Sequence, residues 1–264
     1  MASFPRMITK GASYQISLII GCGVVAFAQS ACNRPTPTLD QIIEFNTKAV
    51  GGRAAIEAVQ SIEVDLHVVD SDFQVDGIYR AARPGRMRID IKANGKPVYA
   101  EGFNGERAWQ WRQGGGEPVD ESPSATAALR HGVEMPGKLF GLHELPARGQ
   151  RLELGDREMI DGTDYYVLRV TFSDGHQTAL YIDPKSWLIT RRRDTRPLHP
   201  DIDPKPTTIE TRSSDFRNVA GVNFAFVTVD SDLGTGRVLE TTTVRSVNVN
   251  PSIDPSLFEK LDEK

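Results

Sequence analysis

The stretch LDQIIEFNTKAVGGRAAIEAVQSI, residues 39–62, decides the fold, because nearly everything after it reads as β-hairpins. Thr38 and Gln41 have capping-box spacing, so a helix is expected to begin at Leu39. Leu39, Ile42, Ile43 and Val50 give that helix one apolar stripe. Gly51-Gly52 breaks it, and a shorter helix carrying Ile56 and Val59 follows over 53–60. Helices of this size do not persist alone, so the pair is expected to lie on a sheet. The sheet announces itself at once. Ile62, Val64, Leu66 and Val68 alternate with Glu63, Asp65 and His67, the period of a half-buried strand. Met87, Ile89 and Ile91 alternate with charged neighbours, and Trp109 and Trp111 share one face against Gln110 and Arg112. Asn94-Gly95, Asn104-Gly105, Asp161-Gly162 and Asp174-Gly175 supply tight-turn chemistry between such runs. Further strands are expected near 165–171, 177–182, 188–193, 208–217, 222–230 and 238–249. The fold class is mainly β (α+β): a large antiparallel sheet with few helices to cover its apolar face.

Composition agrees. Twenty-three glycines and sixteen prolines suit a turn-rich β protein. The net charge of −4 with mixed signs gives no basic surface for nucleic acid. The alternation fails over 114–149, where a Gly/Pro-rich lead-in precedes two expected short helices, 124–131 and 136–142; a break of that length inside a regular sheet reads as a functional loop or a lid. RPLHPDIDPKP, residues 196–206, is expected to be an exposed connection.

The first 28 residues read as a secretory signal peptide. Arg6 and Lys10 precede the apolar run 16–28, which is shorter than a membrane span, and Ala26-Phe27-Ala28 offers a cleavage site. Cleavage there leaves a chain two charges more negative. Residues 29–38 form a tether, and 39–264 a single domain. Cys22 and Cys32 are the only cysteines, so a disulfide framework is excluded. Cys32, in QSACNRPTPT, resembles the lipidated cysteine of bacterial lipoproteins, although Gln29 stands where that pattern has an aliphatic residue. Lipidation at Cys32 and simple cleavage after Ala28 both stay open.

Four stretches together resemble the LolA-like outer-membrane lipoprotein-sorting proteins of Gram-negative bacteria. They are Ile43 to Ile62 with its VGGRAAIEAVQSI core, GFNGERAWQW (102–111), IDGTDYYVLRVTFSDGHQTALYIDPKSWLITRR (160–192) and the run from Asp215 to Lys260. The resemblance implies a strongly curved, half-open barrel with an N-terminal helix and a short helical lid on its concave face. It also implies a periplasmic or outer-membrane location and a cavity for acyl chains. The chain is longer than a dedicated carrier and has the extra proline-rich loop, which departs from the pattern.

The expected hydrophobic cavity residues are Leu66, Ile89, Trp109 and Trp111, although the tryptophans suit an ordinary core equally well. The expected ligand is an acyl chain or lipoprotein lipid. The alternative is an envelope scaffold or sensor with a filled core that binds another protein. No nucleophile elbow, P-loop, Rossmann glycine pattern or zinc-protease motif occurs, so neither enzyme chemistry nor a cofactor is expected. His199, Asp201 and Asp203 are weak metal candidates beside a plain exposed turn, and no metal is expected. His131 and His143 are expected to be solvated, as is the acidic run Glu153, Asp156, Glu158 and Asp161. Arg191-Arg192-Arg193 reads as a charged edge strand, with Arg192 facing away from its neighbours.

Overall fold

The computed structural model describes residues 36–260. The expected signal peptide, Cys22, Cys32 and the tether up to Pro35 lie outside them. Helix α1 (Leu39–Val50) starts at the expected capping box: the Gln41 amide donates to Thr38 Oγ1 at 3.3 Å, and the Thr38 amide donates to Gln41 Oε1 at 2.9 Å. It stops at Gly51, whose φ of 142° and approach to the Gly221 carbonyl leave no room for a Cβ. Helix α2 (Arg53–Glu57) follows, burying Ile56.

The remaining chain builds one antiparallel sheet from β1 (Ser61–Asp70), β2 (Gln74–Ala82), β3 (Arg86–Ala93), β4 (Lys96–Phe103), β5 (Ala108–Arg112), β6 (Val119–Asp120), β7 (Arg151–Leu154), β8 (Glu158–Ile160), β9 (Thr163–Thr171), β10 (Gln177–Ile182), β11 (Ile189–Arg196), β12 (Thr207–Val219), β13 (Val222–Asp232) and β14 (Val238–Val249). Their order is β6-β5-β4-β3-β2-β1-β14-β13-β12-β11-β10-β9-β7, with β8 paired to β9. The sheet does not close, and β6 and β7 are its edges. Helix α3 (Pro123–Glu134) lies in the connection between those two edge strands.

The sheet is strongly curved into a half-open barrel. The loop between β11 and β12 touches β4 although five strands separate β12 from β4 in the sheet. Register shifts at Asp65/Leu66, Ile91/Lys92, Tyr181/Ile182 and Asp230/Ser231 add local bends. The helices cover the inner face. One apolar cluster joins Ile56 and Val59 to Ile62, Val64, Leu66, Tyr79, Met87, Phe103 and Phe224. A second joins Ile42, Met135, Leu142 and Leu145 to Tyr166, Leu168, Val170, Leu180 and Ile182.

Two expectations need correction. Residues 136–142 are not a helix: Pro136 bridges to Phe140 across a turn at 137–139, and 3-10 turns at Leu142–Glu144 and Pro146–Arg148 follow. Pro136-Gly137 accounts for this, since Gly137 takes a φ of 111°. The arginine triplet is not on an edge either, because β11 sits between β10 and β12. Arg191 and Arg193 do share one face, where both bind Glu210; Arg191 also reaches Asp161, and Arg193 reaches Glu158. With Glu153 beside Arg151, three members of the acidic run are ion-paired and not merely solvated.

Candidate functional site

The inner face of β1–β3 grades from sealed to open along the strands. On β1, Ile62 is 0% exposed, whereas Val64, Leu66 and Val68 are 7–8% exposed. Cross-strand pairs carry that row sideways: Val64 faces Tyr79, Tyr79 faces Ile89, and Leu66 faces Gly77, which faces Ile91. A Cβ on Gly77 would lie 2.7 Å from Leu66 and 2.9 Å from Ile91, so those two side chains lean together over the bare glycine. Ile89 and Ile91 are only half-buried. The floor, next to α2, is a closed core; nearer the mouth the same apolar rows keep accessible surface.

The structure brings Leu66 and Ile89 together on this face and separates both from the two tryptophans. Trp111 pairs with Ala100 and Trp109 with Gly102, in the register that faces outward, whereas Phe103, Glu101 and Tyr99 face inward. Both faces of β3–β5 carry large side chains, so period two showed which residues share a face and not which face is inside. The Trp109 indole lies flat over Gly102, where an added Cβ would clash at 2.6 Å. It donates to the Phe258 carbonyl at 3.0 Å, and Arg88 stacks on it. The segment around Phe258 therefore seals Trp109 from outside. Trp111 is less covered and lines an outer groove of about 530 Å³ with Ile78, Arg80, Asp90 and Ala100.

The lid is thinly docked. Of the twelve residues of α3, Ala125 and Val133 are buried. Leu129 is partly buried against the core, and the helix ends are held by polar contacts. Ser122, the N-cap, donates its amide to the Asp201 carboxylate at 3.0 Å. Near the other end His131 Nε2 meets Asp174 at 2.7 Å and stacks on His176 with ring centroids 4.3 Å apart. Burial still lowers the His131 pKa, despite the opposing pull of Asp174. Beyond the helix, Arg83 gathers the segment: it binds both oxygens of Glu144 and donates to the Val59 and Leu139 carbonyls. His143 is enclosed next to Thr47 and Glu57. Both histidines expected in solvent are in fact docked.

The mouth is polar. Arg192 turns inward, as alternation required, with Asp194 and Arg196 on the same strand face. Arg196 lies 3.5 Å from both Asp194 and Asp230. Lys138 enters over the Tyr79 ring at 4.3 Å, its pKa lowered by the surrounding protein and then by Arg192. Arg192 Nε, Asp194 Oδ1 and Asp230 Oδ1 have no protein hydrogen-bond partner.

The proline-rich loop 197–206 is a strap across this mouth. Leu198 and Ile202 are exposed as expected, but His199 is docked, with Nε2 3.0 Å from the Tyr99 hydroxyl. Tyr99 donates to Glu101 at 2.8 Å. His199 Nε2 is 3.5 Å from Glu101 Oε2 and 3.6 Å from Glu121 Oε1. The Glu101 carboxylate first, and then Glu121, raise the His199 pKa to about 9. Burial raises that of Glu121. Sequence reasoning flagged His199 but paired it with Asp201 and Asp203. Glu101 and Glu121 lie about a hundred and about eighty positions earlier, and only the inward register of β4 and the turn into α3 bring them there.

No protein-family model matches this sequence, and no curated protein matches it. Solved structures do match. An outer membrane lipoprotein-sorting protein domain from Vibrio parahaemolyticus superposes with a TM-score of 0.58 at 11% identity, covering 83% of this chain and 96% of that one. A DUF1329 family protein from Desulfovibrio piger gives 0.56 at 10% identity, covering 85% and 98%. A LolA superfamily protein from Nitrosomonas europaea gives 0.54 at 15% identity, covering 85% and 99%. At these identities the likeness is one of fold, and the fold is that of LolA-like proteins. No helix among the described residues is long and apolar enough to cross a membrane.

Proposed function

We propose that this chain is an exported envelope protein that holds an acyl chain, free or on a lipoprotein, against the inner face of its half-barrel. One observation carries the reading: the apolar rows of β1–β3 lose cover towards the mouth, beneath a helix of whose twelve residues Ala125 and Val133 are buried. Methylenes entering there replace water against Leu66, Val68, Ile89 and Ile91, each buried CH2 contributing about 0.8 kcal/mol. Arg192 and Lys138 at the mouth suit a carboxylate or phosphate head. The role is binding without catalysis or cofactor, in lipoprotein sorting or a related transfer. Lipidation at Cys32, outside the described residues, would hold the protein at the outer membrane.

The test is uptake of a fluorescent fatty acid by delipidated protein. Wild type should bind stoichiometrically. Leu66→Trp, which fills the recess, should weaken binding at least about tenfold, or ~1.4 kcal/mol. Trp111→Ala, on the outer face, should leave it unchanged. No uptake by wild type, with no lipid on protein taken from its own membrane, would reject the reading. The outer groove at Trp111 favours the second reading, a scaffold or sensor docking another protein. Loss of a co-purifying partner in Trp111→Ala, with fatty-acid uptake absent throughout, would establish it instead.

A further inference from the structure

We infer that Glu101, Glu121 and His199 form a binding site for one divalent cation of the zinc type, which fastens the strap to the rim of the half-barrel. Three separate pieces of chain supply the donors: Glu101 from β4, Glu121 from the turn between β6 and α3, and His199 from the 197–206 strap. Their ligand atoms all lie within 4.8 Å of one another.

The His199–carboxylate spacing fits a shared metal better than it fits direct hydrogen bonds. Ligand atoms ~2.1 Å from a tetrahedral zinc stand ~3.4 Å apart. The His199 Nε2 separations of 3.5 Å and 3.6 Å match that edge, while both are long for hydrogen bonds. An independent observation comes from Glu121. Its side chain is wholly shielded from solvent, yet neither carboxylate oxygen has a hydrogen-bond partner. A buried carboxylate left in that state is costly. No lysine or arginine among the described residues forms an ion pair with Glu101 or Glu121. A divalent cation bound through the neutral imidazole of His199 would cancel the charges of the two carboxylates.

One imidazole nitrogen with carboxylate oxygens and no thiolate selects borderline cations such as Zn2+ over thiophilic ones. Tyr99 Oη, 3.0 Å from His199 Nε2, stands ready as a neighbouring donor or as a partner for a bound water. Binding through Nε2 leaves the ring proton on Nδ1, so the long 3.3 Å contact from the Asp201 amide is given up. The Asp201 carboxylate keeps its bond to the Ser122 amide, and the bound cation therefore holds strap, lid and β4 as one unit.

The test uses the full chain, stripped with a chelator and titrated with Zn2+ alone. Native mass spectrometry should show one ion per chain, and calorimetry should show micromolar or tighter affinity. Glu121→Gln and His199→Gln should each weaken binding by ~10–100-fold or more. A readout on the unmutated protein guards against variants that misfold. Co2+ should give the visible spectrum of a nitrogen–oxygen site with no thiolate charge-transfer band. Sub-stoichiometric uptake, uptake unchanged in two folded variants, or a thiolate spectrum would overturn the site. The cluster would then be a protonated histidine between two glutamates. Acyl-chain uptake is measured separately, so loss of either result leaves the other standing.

Discussion

Arg83 is the residue on which most of the inner cover depends. It leaves the end of β2 and meets the Glu144 carboxylate at 2.6 Å, and it also donates to carbonyls from both the α2 end and the segment after α3. Both partners are largely shielded, so the pair cannot be valued as a surface ion pair. Arg83→Ala strands a largely shielded carboxylate and three carbonyls, and urea unfolding should show a loss of about 3–5 kcal/mol. Glu144 allows a separate check by pH. Burial alone would raise its pKa, but Arg83 and the Gly141 amide outweigh burial and hold it below the ordinary carboxylate range. A carboxyl depressed in the folded state stabilises above its ordinary pKa, near 4.5, and loses that contribution as pH falls through the folded value. Thermal melts between pH 6 and pH 3 should therefore fall more steeply in wild type than in Glu144→Gln. Equal slopes would show that the pair carries no such linkage. Neither residue was legible as a site in the sequence, because Arg83 and Glu144 are unremarkable charges until the segment after α3 folds back.

At the scale of elements, α3 is the weakest part of the cover. Ser122 and Pro123 give it a sound start, but Gly132 interrupts it inside the last turn, where an added methyl would meet open space. Gly132→Ala should therefore stabilise the helix by about 1 kcal/mol, read as a Tm rise of ~2–4 °C. Hydrogen exchange locates the effect: α3 amides should exchange before those of β1 and β14 in wild type, and should slow in the variant. Exchange in α3 as slow as in β1 would mean that the helix belongs to the core and is no gate. The strands of the sheet were legible, since alternation and turn pairs are local: Asn94 and Asp161 take positive φ beside Gly95 and Gly162 as their turns require. The first helix was legible through its capping box. Residues 136–142 were not, because spacing of apolar residues cannot separate a short helix from an irregular turn buried by neighbours. The inward face was not legible either. Trp109 and Leu66 both sit in alternating strands, and only the C-terminal segment over Trp109 and the helices over Leu66 decide which face each occupies.

For the whole molecule, the decisive relation is between strands that are far apart in the sheet yet close across its opening. The β11–β12 strap reaches the β6–α3 junction, where Asp201 accepts the Ser122 amide at 3.0 Å. That contact closes the mouth above the apolar rows without any strand pairing. A side chain that contacts the facing backbone at this distance places the two Cα atoms near disulfide range, ~4.4–6.8 Å. Ser122→Cys with Asp201→Cys, in a chain whose Cys22 and Cys32 are replaced by serine, should form a bond on oxidation. If a ligand enters between strap and lid, the oxidised protein should take up fluorescent fatty acid at least about tenfold more slowly, and reduction should restore the rate. Slower uptake with an unchanged final amount bound would place the strap on the entry path. A lower final amount would mean that the recess itself must widen to accept a chain. Unchanged kinetics in the bridged protein would exclude the mouth as the route and turn attention to the opposite end of the barrel, where α1 and α2 close the floor.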